Sequence, residues 1–359
     1  MQTRCQPLIA LLKVLLVTFL LSGCDQNVPE NMMETYSNRL ANSLNSEKQL
    51  DLSAPLKIPA FPRRRERILP VQDLRQGLFE VFNLRHCRLI HLVAERNSSL
   101  GKVMPPSKQL VYEIELFLGL RDCLQQLKMA NAEAKLITQV ESIFRIKSDD
   151  FETALWNGIY ISEAVERNFS LSEPALPVDG ENGFQQSVLA IQTLNKIAAL
   201  HKGSRDWIRP QVLDELETHY QALYNHRYGS RWLRSLYLLT QTLTFNAELI
   251  QQRLQRRPLC YNQTATSKAN IVKNVFQKYY VSQLQPYMAR IDQQGKIWLQ
   301  LNTELLNQFS VTPETTKNYY TRVIHIETSQ LWQNYLKARN LHTKAWQNLL
   351  GQCGLMPKR

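Results

Sequence analysis

The sequence predicts an all-α fold, an elongated bundle of about eight helices, and three observations carry that expectation. Glycine is scarce, at 12 of 359 residues, whereas sandwiches and barrels need it at many tight turns. Apolar residues recur at the 3.6-residue spacing of a buried helix face through most of the chain. The longest of these stripes lie in the C-terminal half, with lengths that only helices reach. With 44% hydrophobic and 21% charged residues the chain has enough apolar material for a packed core.

Residues 1–23 read as a signal peptide that is removed. Arg4 gives an early positive charge, Leu8–Leu21 is apolar but for Lys13 and Thr18, and Leu21-Ser22-Gly23-Cys24 follows. The apolar run falls short of the roughly 20 residues a bilayer span needs, and fits a signal-peptide core. Its ending has the form of a lipobox: two small residues enter a narrow protease cleft, and the Cys24 thiol takes the diacylglycerol. Cys24 is therefore the expected lipidation site, and two or three acyl chains anchor a protein firmly where one does not. The expected location is the bacterial envelope, facing the periplasm. Asp25 after the lipidated cysteine favours the inner membrane over the outer. Cleavage removes two bases and no acid, taking the formal charge from +12 to +10. A basic protein at a membrane has anionic lipid or cell-wall polymer as a natural neighbour, although a solvated basic surface is the commoner meaning. Nucleic acid is not expected as a partner of an exported chain.

Residues 24–70 read as a lipidated N-terminus and tether, with a short helix at Glu34–Leu44. Pro55, Pro59 and Pro62 forbid regular structure. The run Arg63-Arg-Arg-Glu-Arg67 follows, and near an anchor it suits anionic headgroups at about 1 kcal/mol per close charge. Such a run more often is solvated or pairs with an acidic face of its own domain.

A helical domain is expected over 71–359. Leu74, Leu78, Val81, Phe82, Leu84 and Leu89 form its first stripe, and Ile114, Phe117, Leu118, Leu120 and Leu124 mark a second over Leu110–Leu127. Further helices are expected at 131–146, 150–168, 184–201 and 210–226. The loop Leu171–Gly183, with Pro174, Pro177, Gly180 and Gly183, is the one place for a sub-boundary. Three long stripes follow: Trp232 to Leu254, Val275 to Ile291, and Tyr320 to Leu349. The last is expected to start with Thr312 as N-cap, Pro313 at N1 and Glu314 in the first turn, and to stop at Gly351 and Gly354. Aromatics at this spacing could line a ligand groove, but are usually core.

Six cysteines are present. Cys5 leaves with the signal peptide and Cys24 takes lipid. The remaining Cys87, Cys123, Cys260 and Cys353 suggest two disulfides in an oxidising compartment. Cys87 and Cys123 stand on helical patterns at similar distances from a turn near 97–106, so an antiparallel hairpin sets them side by side. Cys260 and Cys353 each follow a long helical pattern, where two tips running the same way can be stapled. Each bridge contributes roughly 3–4 kcal/mol by loop closure. The other reading is four free buried thiols. There is no C-x-x-C, which leaves a thioredoxin-like site or zinc knuckle unsupported.

Several segments carry a resemblance. Ala94-Glu-Arg-Asn-Ser-Ser-Leu-Gly-Lys-Val-Met104 precedes Pro106-Ser-Lys-Gln-Leu-Val-Tyr-Glu113, and Arg256-Arg-Pro-Leu-Cys260 and Leu349-Leu-Gly-Gln-Cys-Gly354 follow. With the lipobox and Pro62-Arg-Arg-Arg65, the chain resembles the Gram-negative lipoprotein family catalogued as domain of unknown function 3080, from about residue 30 onward. The resemblance implies an envelope location and paired cysteines, and no activity.

Catalytic patterns are weak. Ser99-Leu-Gly-Lys102 has the S-x-x-K form in which a lysine one turn away takes the serine proton, but the partner motif K-T-G is missing and the match is loose. Glu95, Arg96 and Asn97 stand together at the hairpin turn as a candidate binding cluster. A helix end with a left-handed Asn97 and a local Glu95–Arg96 pair is the plainer reading. His219 and His226 share a face with Glu215, which is thin support for a metal. No H-E-x-x-H, G-x-S-x-G, phosphate-binding or dinucleotide-binding motif occurs. No catalytic residue, metal or cofactor is expected. The reading is an envelope lipoprotein that binds or scaffolds another component, whether protein, anionic lipid or cell-wall polymer. A cell-wall enzyme with paired carboxylates and a lipid-transfer protein with an apolar groove are the rivals.

Overall fold

A computed structural model describes residues 28–72, 87, 89–203 and 206–356. The signal peptide, Cys24 and the stripe from Leu74 to Leu84 lie outside the described residues. Among the described residues the fold is all-α, with no strand and a single isolated bridge between Tyr261 and Thr264. The elements are α1 (Pro29–Ser43), α2 (Arg64–Arg67), α3 (Ile90–Asn97), α4 (Ser99–Lys102), α5 (Pro106–Met129), α6 (Ala134–Asp149), α7 (Phe151–Tyr160) and α8 (Glu163–Arg167). They continue with α9 (Phe184–Ala198), α10 (Leu216–His226), α11 (Tyr228–Arg256), α12 (Ser267–Val275), α13 (Gln285–Leu306), α14 (Glu314–Tyr319) and α15 (Gln330–Gln352). No helix among the described residues is long and apolar enough to cross a membrane.

The helices outnumber the eight expected because several stripes are cut by local chemistry. The pattern over 150–168 breaks at Ile161, where the Ser162 hydroxyl accepts from Val165 N at 3.2 Å and starts α8. The last stripe is also two helices. Ser329 caps α15 by accepting from Trp332 N, and its own hydroxyl donates to Val323 O at 2.8 Å. The expected cap before α14 shifts by one residue: Pro313, not Thr312, holds the N-cap position, and no side chain caps it. At the far end Gly351 stays helical, and Gly354 at φ +65° closes a Schellman turn with Leu355 N on Leu350 O at 2.9 Å.

α11 and α15 form the centre. Trp232 and Trp332, near their starts, lie 6.1 Å apart by ring centroid, and Cys260 and Cys353, past their ends, are bonded. The two helices therefore run parallel over the length of α15. α13 crosses them in a reciprocal fit. The Trp232 indole lies against Gly295 of α13, where a Cβ would stand 2.4 Å away, and the Trp298 indole lies against Gly229 of α11 at 2.2 Å. Each glycine is the hole for the other helix's tryptophan, so a larger side chain at either would push the helices apart.

The segment expected as a tether is core from Pro29. Met33, Tyr36 and Leu40 on α1 are fully buried, contributing about 1.5–3 kcal/mol each as an upper estimate. Asn246 Nδ2 donates to Ser37 Oγ at 2.8 Å within that interface. The proline segment beyond α1 is fastened too: Tyr237 donates to Pro55 O at 3.2 Å, and Phe61 stacks on Phe169 at 4.5 Å. A packed partner, rather than intrinsic propensity, makes this stretch ordered.

A smaller apolar cluster sits at α5 and α6, built from Leu89, Tyr112, Leu116, Leu120, Cys123, Leu124, Leu127, Val140 and Ile143. α3 runs antiparallel to α5: Cys87 is bonded to Cys123, Leu89 lies against Gly119, and Arg96 lies 6.0 Å over Tyr112.

Candidate functional site

The residues singled out in the sequence do not converge. Glu95 and Asn97 are exposed. Asn97 is the last helical residue of α3 and the chain turns at an extended Ser98, so the left-handed asparagine is not found. Arg96 donates to Gly101 O rather than to Glu95. Ser98 caps α4 by accepting from Gly101 N at 3.0 Å, which makes Ser99-Leu-Gly-Lys102 a short capped turn with Ser99 and Lys102 both exposed. His219 meets Thr193 Oγ1 at 3.2 Å, while His226 lies against Gly183. Among the described residues no three His, Cys, Asp or Glu side chains gather to hold a metal ion.

The arginine run divides. Arg63, Arg64 and Arg65 are exposed, whereas Arg67 is fully buried. Arg67 pairs with Glu166 on α8 and lies 4.5 Å over the Phe61 ring. Burial pulls its pKa down and the Glu166 carboxylate pushes back. Among the described residues its Nε and Nη1 carry no hydrogen bond, and neither do the buried hydroxyls of Thr316 and Tyr319.

Two concavities among the described residues form where a helix is wound as a π-helix. α12 passes into α13 through a π-helical stretch at Phe276–Leu284, just before Pro286. Proline has no N–H for the Ser282 carbonyl and its ring crowds that carbonyl, so the preceding turns widen. The Ser282 hydroxyl donates back five residues to Gln277 O at 2.8 Å. Beside this stretch lies a groove of about 680 Å³. α1 supplies Asn31, Met32 and Thr35. The widened helix and α13 supply Tyr279, Ser282, Gln283, Pro286, Tyr287 and Arg290, and the loop supplies Val178 and Asp179. α13 holds that loop, with Tyr287 donating to Leu176 O at 3.0 Å and Arg290 to Pro177 O. Arg39 and Lys278 stand 5.9 and 5.6 Å from the Tyr279 ring, placing cations at one end of the groove and Arg290 at the other.

α14 likewise passes into a π-helical stretch, Tyr320–Ile324, closed by His325 N on Tyr320 O at 2.7 Å. A pocket of about 340 Å³ opens there, between this stretch, the end of α13 and the loop 307–314. A smaller cleft of about 40 Å³ holds Glu113 and Asp150, but Lys147 pairs with Glu113 at 2.8 Å and Gln72 N donates to Asp150 at 2.7 Å.

Behind the groove, Tyr36, His342 and Trp346 form a buried triad. Tyr36 Oη is 2.7 Å from His342 Nε2, and Trp346 Nε1 donates to Tyr36 Oη at 2.9 Å. With its proton given to the ring nitrogen, Tyr36 makes His342 the acceptor and thus a neutral imidazole. Burial pushes the His342 pKa down to about 3, so the triad is a fastening between α1 and α15 rather than a proton relay at neutral pH.

A family model described as a protein of unknown function, DUF3080, matches residues 33–357. The chain belongs to the DUF3080 family. No curated protein and no solved structure matches the DUF3080 chain. The match opens at Met33, inside α1, so the family unit takes in the helix that the sequence suggested was part of a tether. The second pocket and the disulfides Cys87–Cys123 and Cys260–Cys353 fall within the match, and so does the groove apart from Asn31 and Met32. The sequence placed Tyr279, Tyr287 and Tyr320 on core stripes, and Tyr287 and Tyr320 are indeed buried. Pro286 in mid-stripe was the available signal for the groove.

Proposed function

We propose that this DUF3080 protein is a lipid-anchored, periplasm-facing binding protein. On this reading it holds another envelope component in the groove between α1 and the first π-helical stretch, without acting on it chemically. The groove carries this reading. Its volume of about 680 Å³ suits a ligand segment rather than a water cluster. Its walls mix Tyr279 and Met32 with the amides of Asn31 and Gln283 and the guanidinium of Arg290, the composition of a recognition surface. Its first wall residue, Asn31, stands seven positions after Cys24, a span of at most about 25 Å. A lipidated Cys24 therefore holds the groove close to the bilayer, and the exposed Arg63–Arg65 add charge for anionic headgroups.

The rival readings draw less support. A lipid-transfer protein needs an enclosed apolar cavity, and the apolar gap beside Trp298 measures about 10 Å³. A glycosidase-like site needs two carboxylates facing one space. The groove has Asp179 and the pocket Glu314. The test is a photo-crosslinking residue at exposed Ser282 in intact cells, with the same residue at Lys296 as the control. A discrete adduct from Ser282 alone supports the reading. Matching adducts at both positions, or none at Ser282, overturn it.

A further inference from the structure

The pocket at the second π-helical stretch has a chemistry of its own, independent of the groove. It is built in advance. Glu152 accepts from the Ser310 hydroxyl at 2.9 Å, His201 Nε2 donates to Gln308 O at 2.8 Å, and Lys202 Nζ donates to Gln308 Oε1 at 2.9 Å. On the opposite rim Thr315 donates to Glu66 O at 3.0 Å and Thr328 to Thr321 O at 2.8 Å. A rim tied from both sides keeps its shape without an occupant, and little ordering is left for binding to bring about.

The wall groups say what fits. Thr303 donates its hydroxyl proton to Leu299 O at 2.8 Å, and Thr321 donates its own to Lys317 O at 3.0 Å. Both hydroxyls can therefore only accept from an occupant. Glu314 also only accepts. Lys317, the Asn307 amide and the Thr312 hydroxyl can donate, and no ion pair joins Glu314 to Lys317 among the described residues. The two charges cancel, so the pocket does not select an ion. Phosphate or a carboxylate, which only accept, would meet three acceptor groups. The matching ligand brings several O–H or N–H donors along with acceptors and has an apolar face for Leu306. At about 340 Å³ the space lies at the low end for ligand pockets.

We infer that this pocket binds one pyranose unit of a glycan, through acceptors at Thr303, Thr321 and Glu314 and a donor at Lys317. His325, which lines the pocket, has a buried Nδ1 without a hydrogen bond among the described residues, so the wall keeps polar capacity in reserve there.

The experiment uses the full chain in detergent, with N-acetylglucosamine and its β-1,4-linked tetramer as probes and inorganic phosphate as the acceptor-only comparison. Ligand-observed NMR and calorimetry read binding. Expected are millimolar or tighter binding of the sugars and none of phosphate. Thr321→Val and Glu314→Ala, both on exposed residues, should each weaken sugar binding at least about tenfold, the effect of one lost hydrogen bond to an otherwise matched group. Tyr279→Ala in the groove should leave it unchanged, which separates this site from the groove reading. Unaltered melting curves establish folding, and Lys317→Ala serves if either variant fails to fold. No sugar signal, sugar binding indifferent to all three pocket variants, or preference for phosphate overturns the inference.

Discussion

The interior around α11 and α15 and the one between α5 and α6 are both apolar and both closed by a disulfide, but they are held in different ways. The large interior is threaded with buried polar ties of fixed geometry: Tyr36 to His342 and Trp346, Asn246 to Ser37, Arg67 to Glu166. The small one is mainly aliphatic inside, with Tyr112 and Cys123, and its helices are tied by ion pairs outside that cluster: Lys147 to Glu113, partly buried, and Lys128 to Glu141 at 2.8 Å, about half exposed. Apolar contacts reward any close packing, whereas a buried hydrogen bond rewards one register. The difference teaches that the large interior is specified and the small one is mainly stapled.

Removing the staples tests this most strongly. The bridges close loops of 93 and 36 residues, for which loop entropy gives about 4–5 and about 4 kcal/mol. The two losses should be close, so differences in response report the cores. Cys260→Ser with Cys353→Ser is expected to lower global stability by about 4 kcal/mol with one cooperative urea transition. Cys87→Ser with Cys123→Ser is expected to raise amide exchange in α5 and α6 while α11 and α15 stay protected. Equal loss of protection along the whole chain in both variants would remove the distinction.

The buried arginine gives the next effect. Glu166→Gln leaves Arg67 buried without its counter-charge and should destabilise by about 2–3 kcal/mol, below the usual figure because Glu166 is 49% exposed. Arg67→Met removes the charge with its desolvation and should be far milder, within about 1 kcal/mol. Chemical denaturation of the two variants decides, and the reverse order would show that Arg67 holds the 55–67 segment mainly through its charge.

A third effect is read against pH. The folded pKa of His342 is depressed from 6.5 to about 3 by burial. The unfolded chain therefore binds a proton that the folded one refuses. The stability it contributes is whole above about pH 6.5 and falls as pH drops toward about 3, by about 1.4 kcal/mol per unit. Between pH 6.5 and 5 the loss is roughly 2 kcal/mol. His342→Gln should flatten that slope even though it lowers stability at pH 7. A slope identical to the parent's would mean that the carboxylates alone carry the acid sensitivity.

These residues also show what was legible in the sequence. Met33, Tyr36, Leu40 and Leu44 stand three or four apart, a helix face in plain view. The sequence shows the helix at Glu34–Leu44 but not its burial, because the prolines from Pro55 onward resemble a tether and propensity takes no account of a packed partner. The cysteine positions carried their geometry because Cys87 and Cys123 lie at comparable distances from one turn, and Cys260 and Cys353 each follow the end of a long helix. The concavities were not legible. The groove exists only because α1, the loop at 178–179 and α13 meet across more than a hundred residues of chain. Pro286 was the one local mark. Arg67 looked like its exposed neighbours Arg63–Arg65, and only the position of Glu166 on α8 tells it apart.

The smallest effects belong to the hairpin turn of the stapled region, where three neighbouring residues should separate cleanly. Ser98 accepts from Gly101 N and begins α4. Ser98→Ala removes that acceptor at an N-cap, a loss of about 1 kcal/mol. Because α4 belongs to the small interior, the loss should appear as faster exchange at residues 98–104 rather than as a shift of the global transition. Glu95 and Asn97 are exposed, and neither side chain makes a hydrogen bond or ion pair among the described residues. Their alanine variants should stay within about 0.5 kcal/mol of the parent. They should also leave crosslinking from Ser282 unchanged, since the groove is built from other elements. If Glu95→Ala or Asn97→Ala abolished that adduct while exchange and melting stayed at parental values, the hairpin turn would be a contact surface in its own right. The small region would then owe its staple to recognition rather than to a thin core.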